Sequence, residues 1–205
     1  MASAAVALAI TGASGAPYGL RLLELLLQAE LPVYLMVSSP GRMVLAMEAG
    51  LKLPARARDI EARLSAQYRA RPGQLRVFGK EQWTAPVASG SSAPRALVVC
   101  PCTNGTLASL AAGHSRNLIE RAADVVLKEQ RKLILVPRET PFSVIQLENM
   151  LRLARAGAVI LPANPGFYHQ PKRIADLVDF VVARILDHLA VPHTLVPPWG
   201  VEPDE

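Results

Sequence analysis

The sequence predicts a three-layer, doubly wound α/β fold, a mostly parallel sheet with helices on both faces, and three observations predict it. Short apolar runs alternate with longer segments of helical periodicity along the 205 residues. The runs are apolar nearly throughout instead of alternating in and out, as strands covered on both faces are. The loops that follow the runs carry the small and polar residues, an asymmetry suited to a sheet that binds ligands beyond the carboxyl ends of its strands. A single domain spanning 1–205 is sufficient at this length. A content of 51% hydrophobic and 19% charged residues excludes a disordered polar chain.

Val6-Ala7-Leu8-Ala9-Ile10 is the first predicted strand, and it breaks into Thr11-Gly12-Ala13-Ser14-Gly15. Pro17 suits the first turn of the leucine-rich helix that follows, whose free N–H groups would face whatever occupies the loop. Gly12, Gly15 and Gly19 lack the G-x-G-x-x-G dinucleotide spacing, and no G-x-x-x-x-G-K-[ST] is present. On residues alone the loop is either an anion cradle or a plain structural turn. Val33–Val37 is the second strand, ending at Ser38, which either caps the next helix or contacts a ligand phosphate. That helix is expected to turn Met43, Val44 and Met47 to the core, with Glu48 beside them.

An amphipathic helix over 55–68 and a short strand at Leu75–Phe78 come next. The loop from Trp83 to Pro94, with three serines including Ser89 beside Gly90, shows no structure of its own and is either functional or simply mobile surface. Ala96–Cys100 is a strand running into Pro101-Cys102-Thr103-Asn104-Gly105-Thr106, a second strand–loop–helix of the kind that cradles anions. Two such loops at neighbouring strand ends favour a mononucleotide. The helix over 117–128 places Asn117, Arg121 and Lys128 on one face, a stripe equally readable as solvated, with Glu120, Asp124 and Lys128 at ion-pair spacing.

Lys132–Val136 is a strand ending in Pro137-Arg138-Glu139-Thr140-Pro141, which sets an Arg–Glu pair at a strand end. A helix over 142–156 is expected to pack through Ile145, Met150 and Leu153 and to stop at Gly157. A strand over 158–161 leads to a Pro-rich loop containing Tyr168, and the last helix covers 174–189. There Arg184 shares a face with Leu177, Val181 and His188, so it needs either a structural partner or an anion.

The net charge of +5 is spread along the chain without a dense basic cluster or stacking aromatics, which argues against nucleic acid and is compatible with a small anionic substrate. Cys100 and Cys102, one residue apart with no second pair, suit neither a zinc site nor a normal disulfide, and a reducing cytoplasmic setting is expected. No Lys or Arg precedes the Ala-rich start, so a secretory signal is not expected, and no apolar run approaches a bilayer span.

Several segments taken together resemble the flavin prenyltransferases of the UbiX type. They are Thr11-Gly12-Ala13-Ser14-Gly15, Ala88-Ser89-Gly90-Ser91, Cys100-Pro101-Cys102, Asn117-Leu118-Ile119-Glu120-Arg121-Ala122-Ala123-Asp124, Leu135-Val136-Pro137-Arg138-Glu139-Thr140-Pro141 and Pro165-Gly166-Phe167-Tyr168. Thr103-Asn104-Gly105-Thr106 is variant only in its middle. The resemblance implies a Rossmann-like or flavodoxin-like fold and an enzyme that joins a dimethylallyl group, from dimethylallyl monophosphate, to N5 and C6 of reduced FMN. It implies a homo-oligomer, a dodecamer, with sites at subunit contacts, and a product used by a UbiD-type decarboxylase. By the same carry-over Gly12, Ala13, Ser14, Ser38, Thr103, Asn104, Gly105, Thr106 and Arg138 hold FMN. Arg121, Lys128, Tyr168 and Arg184, with Ser89 and Gly90, hold the prenyl donor. The implied catalytic set is Ser14, Glu48, Trp83, Arg121, Lys128 and Glu139: Glu139 manages protons near N5 with Ser14 as relay, and Trp83 is either a face for an allylic cation or a loop anchor.

One physical argument stands beside the resemblance. The chain has no paired Asp motif of the sort that holds magnesium in prenyl transfer from diphosphates, so no metal is expected, and fixed Arg and Lys with a Tyr hydroxyl suit a monophosphate leaving group. Two other readings of the fold are a flavin-dependent decarboxylase and a non-catalytic flavin carrier. The P-x-M-N-x-x-M-W clamp of the cysteine decarboxylases is absent, and a carrier leaves Arg121, Lys128 and Arg184 without a task.

Overall fold

Alternation of strand and helix runs the length of the computed structural model, which describes residues 5–197 and Gly200. The ends of the expected 1–205 domain, with the first residues of the Ala-rich start, lie outside the described residues. In chain order the elements are β1 (Val6–Ile10), α1 (Ala16–Gln28), β2 (Val33–Val37), α2 (Ser39–Ala49), α3 (Ala57–Tyr68), β3 (Leu75–Phe78), β4 (Ala96–Cys102), α4 (Asn104–Ala111), α5 (Leu118–Lys128), β5 (Lys132–Pro137), α6 (Val144–Arg155), β6 (Val159–Ile160) and α7 (Ile174–Leu189). The Trp83–Pro94 loop is not structureless: it contains two 3-10 turns, Pro86–Ala88 and Gly90–Ser92.

The sheet order is β3-β2-β1-β4-β5-β6, and each neighbouring pair is parallel. This is the Rossmann order, with its reversal between β1 and β4, and not the flavodoxin order. Right-handed crossovers on the two sides of that reversal send their helices to opposite faces. Side chains alternate accordingly. Val6, Leu8, Ile10, Val98 and Ile134 join one core with α1, α3 and α7, whereas Ala7, Ala9, Leu97, Val99 and Leu135 join another with α4, α5 and α6.

Several expectations at the residue level are corrected. Met43 and Met47 are exposed, and α2 packs through Gly41 and Leu45, because it crosses the end of β1 on a narrow face. Ile145 is exposed as well; α6 buries Met150 and Leu153 and shows Val144, Ile145, Leu147 and Leu151 outward. Arg184 is not on a buried apolar face of α7 but on its exposed side, beside Asp187. Glu120, Asp124 and Lys128 do not pair with each other: Glu120 is buried and accepts the Arg116 N–H, Asp124 pairs with Arg121, and Lys128 with Glu129.

Candidate functional site

Thr11 ties the site together. Buried at the end of β1, its hydroxyl donates to Pro101 O (2.7 Å) and accepts the Thr103 N–H (2.8 Å), so the loops after β1 and β4 are locked side by side at the reversal point. Each such bond contributes about 1 kcal/mol net. Burial pushes the nearby thiols up, that of Cys102 to about 12, so both cysteines are inert packing. Gly41 allows α2 to lie against β1: a Cβ there would stand 2.5 Å from Ile10 O.

The N-terminus of α1 does not face a free loop as the sequence suggested. The Glu48 carboxylate accepts the N–H groups of Gly15 (2.9 Å) and Ala16 (2.8 Å), supplying the anion from within the chain. Burial pushes the Glu48 carboxyl up, but hydrogen bonds from the Ser14 hydroxyl and these two N–H groups, with the Arg138 charge, outweigh it and hold the group below its usual range. Arg138 Nε also donates to Ser14 O (3.3 Å). Ser14, Glu48 and Arg138 therefore form one cluster.

A cavity of about 250 Å³ opens at the starts of α2 and α5, reaching Ser38, Ser39, Lys80, Thr106, Asn117 and Glu120. Three helix starts border it. Ser38 caps α2 by accepting the Gly41 N–H (3.0 Å), Thr103 caps α4 by accepting the Thr106 N–H (3.1 Å), and Asn117 caps α5 by accepting the Glu120 N–H (3.0 Å). Such ends attract anions, and Lys80 adds a full positive charge. Sequence reading missed Lys80 and gave Asn117 no ligand role; the signal for Lys80 was its place just beyond the carboxyl end of β3.

Glu139 accepts Asn104 Nδ2–H (2.7 Å) and the Thr140 N–H (3.1 Å). The other end of that amide, Asn104 Oδ1, is buried and without a hydrogen-bond partner. A buried acceptor left open in this way calls for a donor from a ligand. The cradle thus fits a flavin mononucleotide: an anion end at the helix starts, and an amide and a carboxylate at the strand ends. Gly12 and Ala13 lie in the loop after β1, and Gly105 in the first turn of α4.

The remaining predicted residues fall into two groups. On the α4–α6 side, Arg121 Nε donates to Ala88 O (3.1 Å) and its Nη1 to Asp124 (2.8 Å), while Lys128 and Glu129 sit against Gly90, where a Cβ would meet both side chains. Ser89 is in the same turn, and Trp83 stands half-exposed at the start of the loop, outside the lining of either cavity described here. On the α1–α7 side, Arg184 and Tyr168 border a cavity of about 680 Å³. The sheet lies between the two groups.

The Flavoprotein family model matches residues 1–186. Flavin prenyltransferase UbiX of Pseudomonas aeruginosa is 58% identical over 195 residues, covering 95% of this chain and 93% of its own, and that of Halalkalibacterium halodurans is 45% identical with the same coverage. Among solved structures, AnUbiX (PadA1) in complex with FMN and dimethylallyl pyrophosphate superposes with a TM-score of 0.84 at 34% identity, covering 98% of this chain and all of its own. A dodecameric FMN-dependent UbiX-like decarboxylase from Escherichia coli O157:H7 gives 0.81 at 38% identity, covering 96% and all of its own. The chain belongs to the flavin prenyltransferase (UbiX) family of flavoproteins.

Proposed function

We propose that the protein prenylates reduced FMN at N5 and C6 with the dimethylallyl group of dimethylallyl monophosphate, releasing phosphate. The observation that carries this reading is the Asn104–Glu139 pair with its open Asn104 acceptor, in the same helix start as Thr106, which borders the cavity with the anion end. The flavin, when bound, supplies the nucleophilic ring atoms that receive the prenyl group. Ser38, Thr103, Thr106 and Lys80 hold its phosphate, and Gly12, Ala13, Ser14, Asn104, Gly105 and Arg138 hold the ring and ribityl chain.

Glu139 manages the proton at N5, and Ser14 passes protons between the site and Glu48. Arg121, Lys128, Arg184 and the Tyr168 hydroxyl hold the donor phosphate and stabilise the charge it gains on leaving. Trp83 offers an aromatic face to the positive charge of the allyl group.

Arg121 and Lys128 are separated from Arg184 and Tyr168 by the sheet, so the donor site is completed between copies: the α5 cations of one chain meet the α7 residues and cradle of another. The outward apolar faces of α2 (Met43, Met47) and α6 (Val144, Ile145, Leu147, Leu151) suit such an assembly, a dodecamer as in the Escherichia coli relative. The product is used by a UbiD-type decarboxylase, and the setting is the cytoplasm, where two buried free thiols persist. Anaerobic incubation with reduced FMN and dimethylallyl monophosphate tests the reading: a flavin heavier by one C5H8 unit is expected, and bound but unmodified flavin would overturn it.

A further inference from the structure

We propose that Asp187 and His193 are positioning residues for the prenyl donor, acting through Arg184. The proposal rests on the reading of Arg184 as a phosphate ligand. Arg184 Nη1 donates to Asp187 Oδ2 (2.6 Å) three residues on in α7. An exposed pair at this spacing does little by itself, because both side chains wander. Here the other carboxylate oxygen, Oδ1, is engaged by His193 Nε2 at 3.0 Å. The chain reverses at Ala190, in the left-handed region at φ 52°, and the segment after it folds back over the helix, with Val191 buried and Leu195 packed on the core. His193 is fixed by that packing: its side chain is 12% exposed, against 57% for Arg184.

The tautomer follows from the surroundings. Leu195 N–H points to His193 Nδ1 (3.4 Å), which is then the acceptor, so Nε2 carries the hydrogen and donates to Asp187. A largely covered ring thus holds the carboxylate, and the carboxylate holds the guanidinium. Tyr168, Arg184, Asp187 and His193 border the same cavity of about 680 Å³.

The charge of Asp187 works against an anion, so its contribution to donor binding has to be geometric. It occupies one N–H of Nη1 and leaves the Nε–Nη2 edge of Arg184, the edge that receives a phosphate through two parallel hydrogen bonds. Ordering one long side chain before binding is worth about two- to ten-fold in affinity.

The test is steady-state prenylation of reduced FMN with varied dimethylallyl monophosphate. Asp187→Asn is expected to raise KM for the donor about three- to ten-fold, with kcat and reduced-FMN affinity within about two-fold. His193→Ala shifts KM in the same direction, and His193→Gln, whose amide can donate to Asp187, restores most of the loss. In an Arg184→Ala background, where KM is already raised, Asp187→Asn adds nothing. A lower KM for Asp187→Asn would show that the carboxylate only competes with phosphate, and a full effect persisting in the Arg184→Ala background would show that it acts elsewhere; either overturns the proposal. If Arg184→Ala raises KM and Asp187→Asn does not, positioning alone fails. If Arg184→Ala leaves KM unchanged, the phosphate assignment fails and the positioning role with it.

Discussion

The flavin cradle and the donor-binding cations satisfy their polar groups in opposite ways. In the cradle, the Thr11 hydroxyl and the Glu48 carboxylate are bonded to backbone groups of distant segments, while Ser38 and Thr103 cap their own helices, so the loops are fixed before any ligand arrives. Arg121, Lys128 and Arg184 instead each pair with a carboxylate three or fewer residues away, Arg121 also donating to Ala88 O, on two helices with the sheet between them. The cradle is preorganised within one chain; the carboxylate pairing of the cations is local, and the donor site proposed for them draws on more than one chain.

The largest effect that sharpens this contrast is chemical. Glu139→Gln should lower turnover by about 10² or more while FMN stays bound, since the amide keeps the contact with Asn104 but cannot manage a proton. Normal turnover by single-turnover absorbance would make the Asn104–Glu139 pair merely structural. Next comes a matched pair of glycines. Gly41→Ala drives a Cβ into the Ile10 backbone oxygen and should cost about 1–3 kcal/mol in urea unfolding and lose FMN. Gly90→Ala meets only the ends of the Lys128 and Glu129 side chains, which can swing away, so stability should change by less than about 0.5 kcal/mol while donor binding suffers. Equal destabilisation by the two would erase the distinction.

Thr11→Val, nearly isosteric, leaves the Thr103 N–H without its acceptor and should cost about 1–3 kcal/mol, with weaker FMN binding in fluorescence titration. The smallest effect is in acid. Because Glu48 is held below the ordinary carboxylate value, the stabilisation it gives is present above that value and is lost as pH falls through the lower folded one. Glu48→Gln should therefore be less stable than the parent near neutrality, and the gap should close in acid. A gap that widens as pH falls would contradict the cap assigned to Glu48.

The strands and helices were legible because apolar runs and 3.6-residue periodicity are local properties, and the loops after β1 and β4 stood out by their small residues. What was hidden depended on distance and on side. Thr11 and Thr103 are 92 residues apart, and no local pattern joins them. Glu48 at the start of α1 was equally invisible, so the helix end was read as open to a ligand. The periodicity that turned Met43, Met47 and Ile145 inward does not tell a face meant for the sheet from one meant for another copy. The placing of Arg121 and Arg184 in opposite layers depends on the strand order: with the reversal between β1 and β4, handedness puts α1 and α5 on opposite faces, and α7 packs beside α1.

The central claim, that one donor site draws on two chains, is tested most directly by mixing subunits. An Arg121→Ala/Lys128→Ala chain and an Arg184→Ala/Glu139→Gln chain, differently tagged, are each expected to be inactive alone. Co-expressed and purified through both tags, they should regain prenylated-flavin formation, because sites pairing the intact α5 of one chain with the intact cradle and α7 of the other are then present. Doubly tagged oligomers no more active than either parent would contradict a shared site.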